Sequence, residues 1–205
     1  VIDFDEGATG AANEVELLIS VSDCPSGQSV GCNSNVQGKV LVTIEDSNDR
    51  PTVESLMASI YENSPVGAVF GDLVKGFDVD SGSSAWGQLV YSLKSIKSGS
   101  PTSLFAINPT TGQLSVGPGV TLDFESAAKS YDLYVVVKDG GDLEAQTVLT
   151  VTIRDANEKP TIDGGQSRSV RENSEAGQEI GSPLEFSDPD VNEGQSFDFQ
   201  IVGGS

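Results

Sequence analysis

The chain has 205 residues and a formal net charge of −20 at pH 7, because 31 aspartates and glutamates face only 11 lysines and arginines. This balance argues against binding to nucleic acid or to an anionic membrane face through a basic patch. The chain contains no histidine, no Gly-x-Ser-x-Gly elbow and no phosphate-binding glycine loop, so hydrolase and phosphate chemistry are not expected.

Short strands are predicted along the whole chain. Alternating apolar and polar residues, rich in β-branched types, place them at 15–22, 38–45, 68–77, 88–93, 105–107, 113–115, 131–137 and 149–153. The apolar side chains of 131–137 are expected on one face and those of 149–153 on another. Glycine, serine, asparagine and proline supply the intervening turns. About seven short strands in roughly 110 residues are typical of a β-sandwich.

Two acidic phrases return along the chain at one fixed interval. Glu62-Asn63 recurs as Glu172-Asn173, and Asp78-Val79-Asp80 recurs, equally far along, as Asp188-Pro189-Asp190. Independent motifs in an acidic sequence would not keep this registration. The chain is therefore predicted to be a repeat array.

Two further phrases belong to the same array. The phrase at 46–51 returns at 155–160, after almost the same interval, and Asp3-Phe4-Asp5 returns as Asp123-Phe124-Glu125. All of these phrases supply carboxylate or amide oxygens, which are the ligands that a hard divalent cation such as calcium prefers. The sequence therefore predicts repeated calcium sites.

Module boundaries are predicted at the prolines that close the repeated linker phrase. Proline fixes φ and cannot donate to a strand ladder, so Pro51 and Pro160 separate one module from the next. Residues 1–51 are interpreted as the C-terminal half of one module, 52–160 as a complete module and 161–205 as the N-terminal half of a third.

The two cysteines, Cys24 and Cys32, enclose the turn-forming loop 25–31. This loop suits a disulfide-closed hairpin, and the alternative is a pair of free thiols. We expect the disulfide, because calcium sites of this kind point to an extracellular, oxidising compartment.

Six motifs stand in one order along the chain: Glu62-Asn63, Asp78-Val79-Asp80, Thr111-Gly112-Gln113-Leu114, Leu122-Asp123-Phe124-Glu125, Asp139-Gly140-Gly141 and the phrase at 155–160. This set resembles the cadherin repeat, over essentially the whole chain. The resemblance implies an all-β fold of tandem Greek-key β-sandwich modules, one complete and two partial. It also implies about three Ca²⁺ at each complete junction.

The resemblance implies a ligand set for each junction. Near Pro160, the two inner ions would take Glu62, Asp123, Glu125, Asp155 and Glu158, with Asp190 from the next module. The outer ion there would take Asn157, Asp188, Asp190 and the Lys159 carbonyl. Near Pro51, the sets would be Asp3, Asp5, Asp46 and Asp49 with Asp80, and then Asn48, Asp78, Asp80 and Asp139 with the Arg50 carbonyl.

Three positions depart from the family pattern. Glu158 stands where aspartate is usual, which lengthens the carboxylate arm, and Arg50 and Lys159 stand where asparagine is usual, which places a cation near each site. Asp23 and Glu172 occupy ligand positions whose partner modules lie outside this stretch.

Other interpretations of the acidic residues fit less well. An EF-hand loop starting at Asp78 or Asp188 would need glutamate at its twelfth position, where the chain has Leu89 and Phe199. A glycosidase pair would need one acid in an apolar pocket, whereas these acids sit in polar linkers. We therefore do not expect an enzyme. The single tryptophan, Trp86, is expected to pack rather than to anchor a partner.

These features favour an extracellular calcium-binding rod used in cell adhesion. Its expected partners are calcium and other cadherin-like modules or surface proteins, copies of the same protein included. Two alternatives stay open: a structural subunit of an extracellular filament or surface appendage, and a spacer in a large microbial adhesin. This segment contains no run of about 18 apolar residues, so we do not expect it to insert directly into a membrane. Any anchor is expected outside it, in a longer polypeptide.

Overall fold

The computed structural model describes residues 14–23, 33–82, 85–96, 102–119, 121–125, 128–190 and 194–204. Within these ranges the regular structure is strands and two short 3-10 turns, Val79–Gly82 and Thr102–Leu104, which confirms the all-β prediction. The strands are β1 (Glu14–Asp23), β2 (Asn33–Thr43), β3 (Thr52–Val53), β4 (Leu56–Tyr61), β5 (Val69–Phe70), β6 (Gly76–Phe77), β7 (Val90–Ser95), β8 (Phe105–Ile107), β9 (Leu114–Val116), β10 (Ser130–Lys138), β11 (Glu144–Arg154), β12 (Thr161–Ile162) and β13 (Phe186–Ser187).

The part of the chain from β3 to β11 folds as a β-sandwich. One sheet has the order β4-β11-β10-β7, in which β4 and β11 run parallel and the other pairs are antiparallel. The second sheet has the order β5-β9-β8, and β3 with β6 forms a small ribbon. The chain passes back and forth between the two sheets, as a Greek-key sandwich requires.

One apolar core lies between the two sheets. Leu133 and Leu149 project into it from the four-stranded sheet, and Leu114 from the other; each is 0–1% exposed. The Phe105 ring meets the Phe70 and Tyr131 rings edge-on, at centroid distances of 5.6 and 5.7 Å. Burial of this surface is the main stabilising contribution of the sandwich.

The expectation that 131–137 and 149–153 present their apolar side chains to different faces is wrong. Leu133 is paired directly with Leu149 in neighbouring antiparallel strands. Directly opposed residues point to the same side of a sheet, so both sets share the inner face.

The predicted strand at 68–77 is two short strands, β5 and β6. Gly71 takes a φ of 64° just after β5, and a Cβ there would lie 2.9 Å from the Ala58 Cβ. The backbone needs glycine to turn at this close approach. The predicted strand at 15–22 is confirmed as β1, which pairs with β2 in a hairpin. Cys24 and Cys32, with their predicted disulfide, lie outside the described residues.

The repeat is visible in the backbone as well as in the sequence. Asn63 and its counterpart Asn173 both take left-handed conformations, with φ of 54° and 59°. Gly71 and Gly181, which are separated by the same interval, do so as well, with φ of 64° and 71°. The strands β6 and β13 stand in this relation too. An Asp-x-Asp phrase begins directly after each of these two strands.

Candidate metal centres at the two junctions

The loop after β6 holds two buried carboxylates beside the first linker. Asp78 and Asp80 are each 2% exposed. The Asp80 amide donates to Asp78 Oδ1 at 2.9 Å, and the Asp49 amide of the linker donates to Asp80 Oδ2 at 2.9 Å. The other two oxygens, Asp78 Oδ2 and Asp80 Oδ1, are buried with no hydrogen-bond partner among the described residues. Buried carboxylate oxygens in that state are costly unless positive charge compensates them.

Asp139, which follows β10, brings a third carboxylate to the same place. Its Oδ1 accepts hydrogen bonds from the amides of Gly141 and Leu143, both at 2.8 Å. Its Oδ2 accepts one from Asn48 Nδ2 at 3.1 Å, while Asn48 Oδ1 is buried with no hydrogen-bond partner in the described part of the chain. The structure therefore gathers these predicted residues at the first junction: Asn48, Asp49, Asp78, Asp80 and Asp139.

The electrostatics of this cluster show a deficit of positive charge. Burial raises the pKa of Asp78 above its ordinary value, and the carboxylates of Asp80 and Asp139 act in the same direction. The hydrogen bond from the Asp80 amide opposes them in part. None of the salt bridges found among the described residues involves this cluster.

The second junction repeats the arrangement of the first. Asp190 is 2% exposed. Its backbone amide donates a hydrogen bond to Asp188 Oδ1 at 2.9 Å, and its Oδ2 accepts one from the Glu158 amide at 2.7 Å. Asp188 Oδ2 and Asp190 Oδ1 are buried with no hydrogen-bond partner in the described ranges. The Asp49 amide beside Pro51 and the Glu158 amide beside Pro160 thus each meet an Asp-x-Asp loop in the same way.

Glu62 ties the second linker to the sandwich. It lies directly after β4, is 2% exposed, and accepts hydrogen bonds on both carboxylate oxygens. The Ala156 amide donates to Oε1 at 2.9 Å, and the Phe124 amide donates to Oε2 at 2.6 Å. Glu62 therefore holds together the two segments that carry the remaining acids of this junction.

Glu125 is shared by two groups of carboxylates. Within each group the ligand atoms lie within 4.8 Å of one another; the groups are Glu62, Glu125 and Glu158, and then Glu125, Asp155 and Asp190. Desolvation raises the pKa of Glu125, and its neighbours add to the effect, Glu62 and Glu158 before Asp155. Carboxylates this close repel one another in the absence of a cation.

Several predicted site residues make other contacts. Asp46 Oδ1 accepts from the Ser47 amide at 2.9 Å, and Asp123 Oδ1 accepts from the Glu125 amide at 3.0 Å. Asn157 Oδ1 accepts from Gln195 Nε2 at 2.8 Å. The predicted site residues that the structure leaves exposed are Asp23, Asp49, Arg50, Glu125, Asn157, Lys159 and Glu172. Asp3 and Asp5 lie outside the described residues.

The donors in both clusters fit calcium. They are carboxylate and amide oxygens without thiolate or imidazole, which favours a hard cation. They come from several segments in an irregular arrangement, which suits the variable oxygen coordination of Ca²⁺ better than the strict octahedron of Mg²⁺. The orphaned oxygens are positions where such an ion would replace missing hydrogen bonds.

Two residues with a role at these clusters were missed by sequence reasoning. Asn63 Nδ2 donates to Glu158 Oε1 at 2.6 Å, and Gly141 leaves the space that the Asn48 side chain fills. The recurrence of Asn63 as Asn173 was a signal that could have drawn attention to the first. The role of Gly141 depends on the approach of a residue far away in the sequence, which periodicity does not reveal.

Replacing Gly141 with alanine is expected to displace Asn48 from Asp139 and to weaken calcium binding at the first junction severalfold. A Cβ at Gly141 would lie 2.6 Å from Asn48 side-chain atoms, which can move away without the backbone. In chelator the free energy of unfolding should change by only about 0.5 kcal/mol. Calorimetric titration and thermal melts measure both. Gly38→Ala is the control, since no described atom lies within 4 Å of a Cβ there; equal effects of the two variants would contradict the assignment.

Trp86 is half-buried, and its carbonyl accepts a hydrogen bond from the Gly140 amide at 2.9 Å. A packing role for its ring remains a prediction. Among the described residues, no helix has the length and apolar character needed to cross a membrane.

Comparison with known proteins places these clusters in a family context. Residues 56–154 match the family model described as "Cadherin domain". Human cadherin-related family member 2 is 36% identical over 184 residues, which is 82% of this chain and 13% of that protein. Human protocadherin-23 is 35% identical over 127 residues, which is 60% of this chain and 4% of that protein. The chain thus spans a small part of the length of these relatives.

Solved structures agree with this match. Mouse cadherin-23 EC22–24 aligns with a TM-score of 0.59 at 27% identity, covering 92% of this chain and 56% of that one. Mouse clustered PcdhgC3 EC1–3 aligns with a TM-score of 0.53 at 22% identity, covering 76% and 46%, and shows likeness of fold.

Proposed function

This chain belongs to the cadherin family, with a cadherin domain at residues 56–154, and we propose that it is a segment of an extracellular adhesion rod stiffened by calcium at its junctions. The matched family consists of adhesion modules and not of enzymes. The proposed module boundaries are those predicted from the sequence, at Pro51 and Pro160. The proposed setting is the cell surface, and the proposed partners are cadherin-like modules of other chains, copies of this protein included.

One observation carries the proposal: the two linkers dock on the following module in the same way. The Asp49 amide binds Asp80 at the first junction, and the Glu158 amide binds Asp190 at the second. In each case one oxygen of the acceptor aspartate is buried with no hydrogen-bond partner among the described residues. The same unfavourable arrangement of carboxylates occurs beside Pro51 and beside Pro160. This repetition supports a common role for the two clusters in binding cations.

The proposed ligands follow from these contacts together with the family resemblance. At the first junction they are Asp3, Asp5, Asp46, Asn48, Asp49, Asp78, Asp80, Asp139 and the Arg50 carbonyl. At the second they are Glu62, Asp123, Glu125, Asp155, Asn157, Glu158, Asp188, Asp190 and the Lys159 carbonyl. About three calcium ions for each complete junction is part of the same proposal.

The mechanism rests on charge. Calcium, when bound, supplies the positive charge that the converging carboxylates need. Without it, the acids of the linker and of the two modules repel one another across the junction. When the charge is neutralised, Glu125, Asp155 and Asp190 hold three separate segments at one point. Metal binding is coupled to local ordering, so the free energy of calcium binding offsets the entropy that the linker loses when it is ordered. Bound calcium would therefore stiffen the linker.

Limited proteolysis during a calcium titration tests this proposal. In chelator, cleavage within 155–160 is expected to be rapid, because the linker opens without the cation. Millimolar calcium should suppress that cleavage at least tenfold, and equimolar magnesium should do so much less. The proposal fails if the chain binds no calcium, or if cleavage at this linker is the same in calcium and in chelator.

A further inference from the structure

Asn63 is a polar residue at the second junction that the proposed ligand set leaves unused. Its backbone is left-handed, with φ of 54°, and its amide donates to the Leu122 carbonyl at 2.9 Å. Its side-chain Nδ2 donates to Glu158 Oε1 at 2.6 Å. The residue therefore joins the end of β4, the segment before Asp123 and the linker.

Glu158 is the residue that needs such a partner. Asp49 holds the corresponding place at the first junction, and the glutamate arm has one more rotatable bond. A longer arm loses more conformational entropy when its carboxylate is fixed in a cluster. The amide of Asn63 restrains one carboxylate oxygen of Glu158, which offsets part of that loss when a cation binds.

The turn itself does not require the bond to Glu158. Asn173, at the same place in the next repeat, has nearly the same φ of 59°. Its turn keeps the Ser174 Oγ bond to the Arg171 carbonyl, at 2.8 Å, which matches the 2.7 Å bond from Ser64 to Tyr61. No hydrogen bond links the Asn173 side chain to an acidic residue in the described part of the chain. The left-handed turn therefore forms without a bond from the asparagine side chain to an acidic residue.

We propose that Asn63 is a positioning residue that holds the Glu158 carboxylate in the metal-binding arrangement of the Pro160 junction. The inference rests on the proposed calcium sites and adds a residue to them. Asn63 acts through Glu158, because its amide donates a hydrogen bond to the carboxylate and leaves the ligand oxygens to the acids.

A double-mutant cycle tests the proposal. Asn63→Gly removes the amide while glycine keeps the left-handed backbone. We expect it to raise the calcium concentration that half-protects 155–160 from protease by about three- to tenfold. In a Glu158→Asp background, whose shorter arm does not reach Asn63, the same change should have less than about a twofold effect. Asn173→Gly is the matched control and should leave the midpoint unchanged.

Thermal melts in chelator separate positioning from plain stabilisation. The positioning role predicts similar melting temperatures for Asn63→Gly and Asn173→Gly in chelator, but different ones in calcium. An equal loss of affinity in both Glu158 backgrounds, or no loss in either, would overturn the inference while the calcium proposal stands. If the unmodified chain binds no calcium, both proposals fail.

Discussion

Replacing Asp190 with alanine is expected to weaken calcium binding at the Pro160 junction at least tenfold, which is about 1.4 kcal/mol or more. Asp190 groups with Glu125 and Asp155 through one oxygen and accepts the Glu158 amide through Oδ2. It is also 2% exposed, so solvent has little access to the ligand position that its loss would leave empty. Calorimetric titration measures the change.

Asp139 provides the comparison for Asp190. It is assigned to a single ion at the first junction, whereas Asp190 is assigned to two, so Asp139→Ala should have the smaller effect. Asp139 Oδ1 also accepts hydrogen bonds from two backbone amides, so alanine removes these bonds together with the proposed ligand. Asp139→Asn and Asp190→Asn, which each keep one acceptor oxygen, should therefore be measured in parallel. If the Asp139 variants lose more calcium affinity than the Asp190 variants, the assignment of ligands is wrong.

Replacing Asp78 with asparagine is expected to have opposite effects with and without calcium. In chelator, removal of one charge from a buried cluster relieves repulsion by Asp80 and Asp139, and the free energy of unfolding should rise by about 1–2 kcal/mol. The asparagine oxygen can still accept the Asp80 amide. In calcium the variant lacks a carboxylate ligand and should melt below the unmodified chain. Thermal melts in both conditions would show the crossover; a loss of stability in both would contradict it.

The pH dependence of the chelated chain follows from the same residue. The folded-state pKa of Asp78 is raised above its ordinary value of 3.8, so the folded state binds a proton more tightly than the unfolded state does. Between these two pKa values, lowering the pH therefore stabilises the fold. The advantage of Asp78→Asn in chelator should shrink as the pH falls through the folded-state pKa, and should be constant below about 3.8.

The sequence predicted the strands better than their arrangement. Alternation at 15–22 and 131–137 located β1 and β10, because residues two apart in a strand lie on the same face. Alternation does not say which strands are neighbours, so the shared face of Leu133 and Leu149 was missed. It also does not reveal the turn at Gly71, which depends on the approach of Ala58.

The acidic clusters could be predicted because their residues recur at a fixed interval. Asp78 with Asp80, and Asp188 with Asp190, form the same buried loop after corresponding strands. The contacts between these residues and their neighbours could not be predicted. The hydrogen bond from Asn63 to Glu158 joins two residues far apart in the sequence, and only the folded backbone brings the two side chains together.

Small-angle X-ray scattering of the chain in millimolar calcium and in chelator tests the central claim most directly. If charge neutralisation at the junctions stiffens the linkers, calcium should lower the high-angle rise of the Kratky plot and shift the pair-distance distribution, and chelator should reverse both changes. Asp190→Ala should remain close to the chelated state at calcium concentrations that stiffen the unmodified chain. Superimposable scattering curves in calcium and in chelator, with an unchanged maximum dimension, would contradict the account.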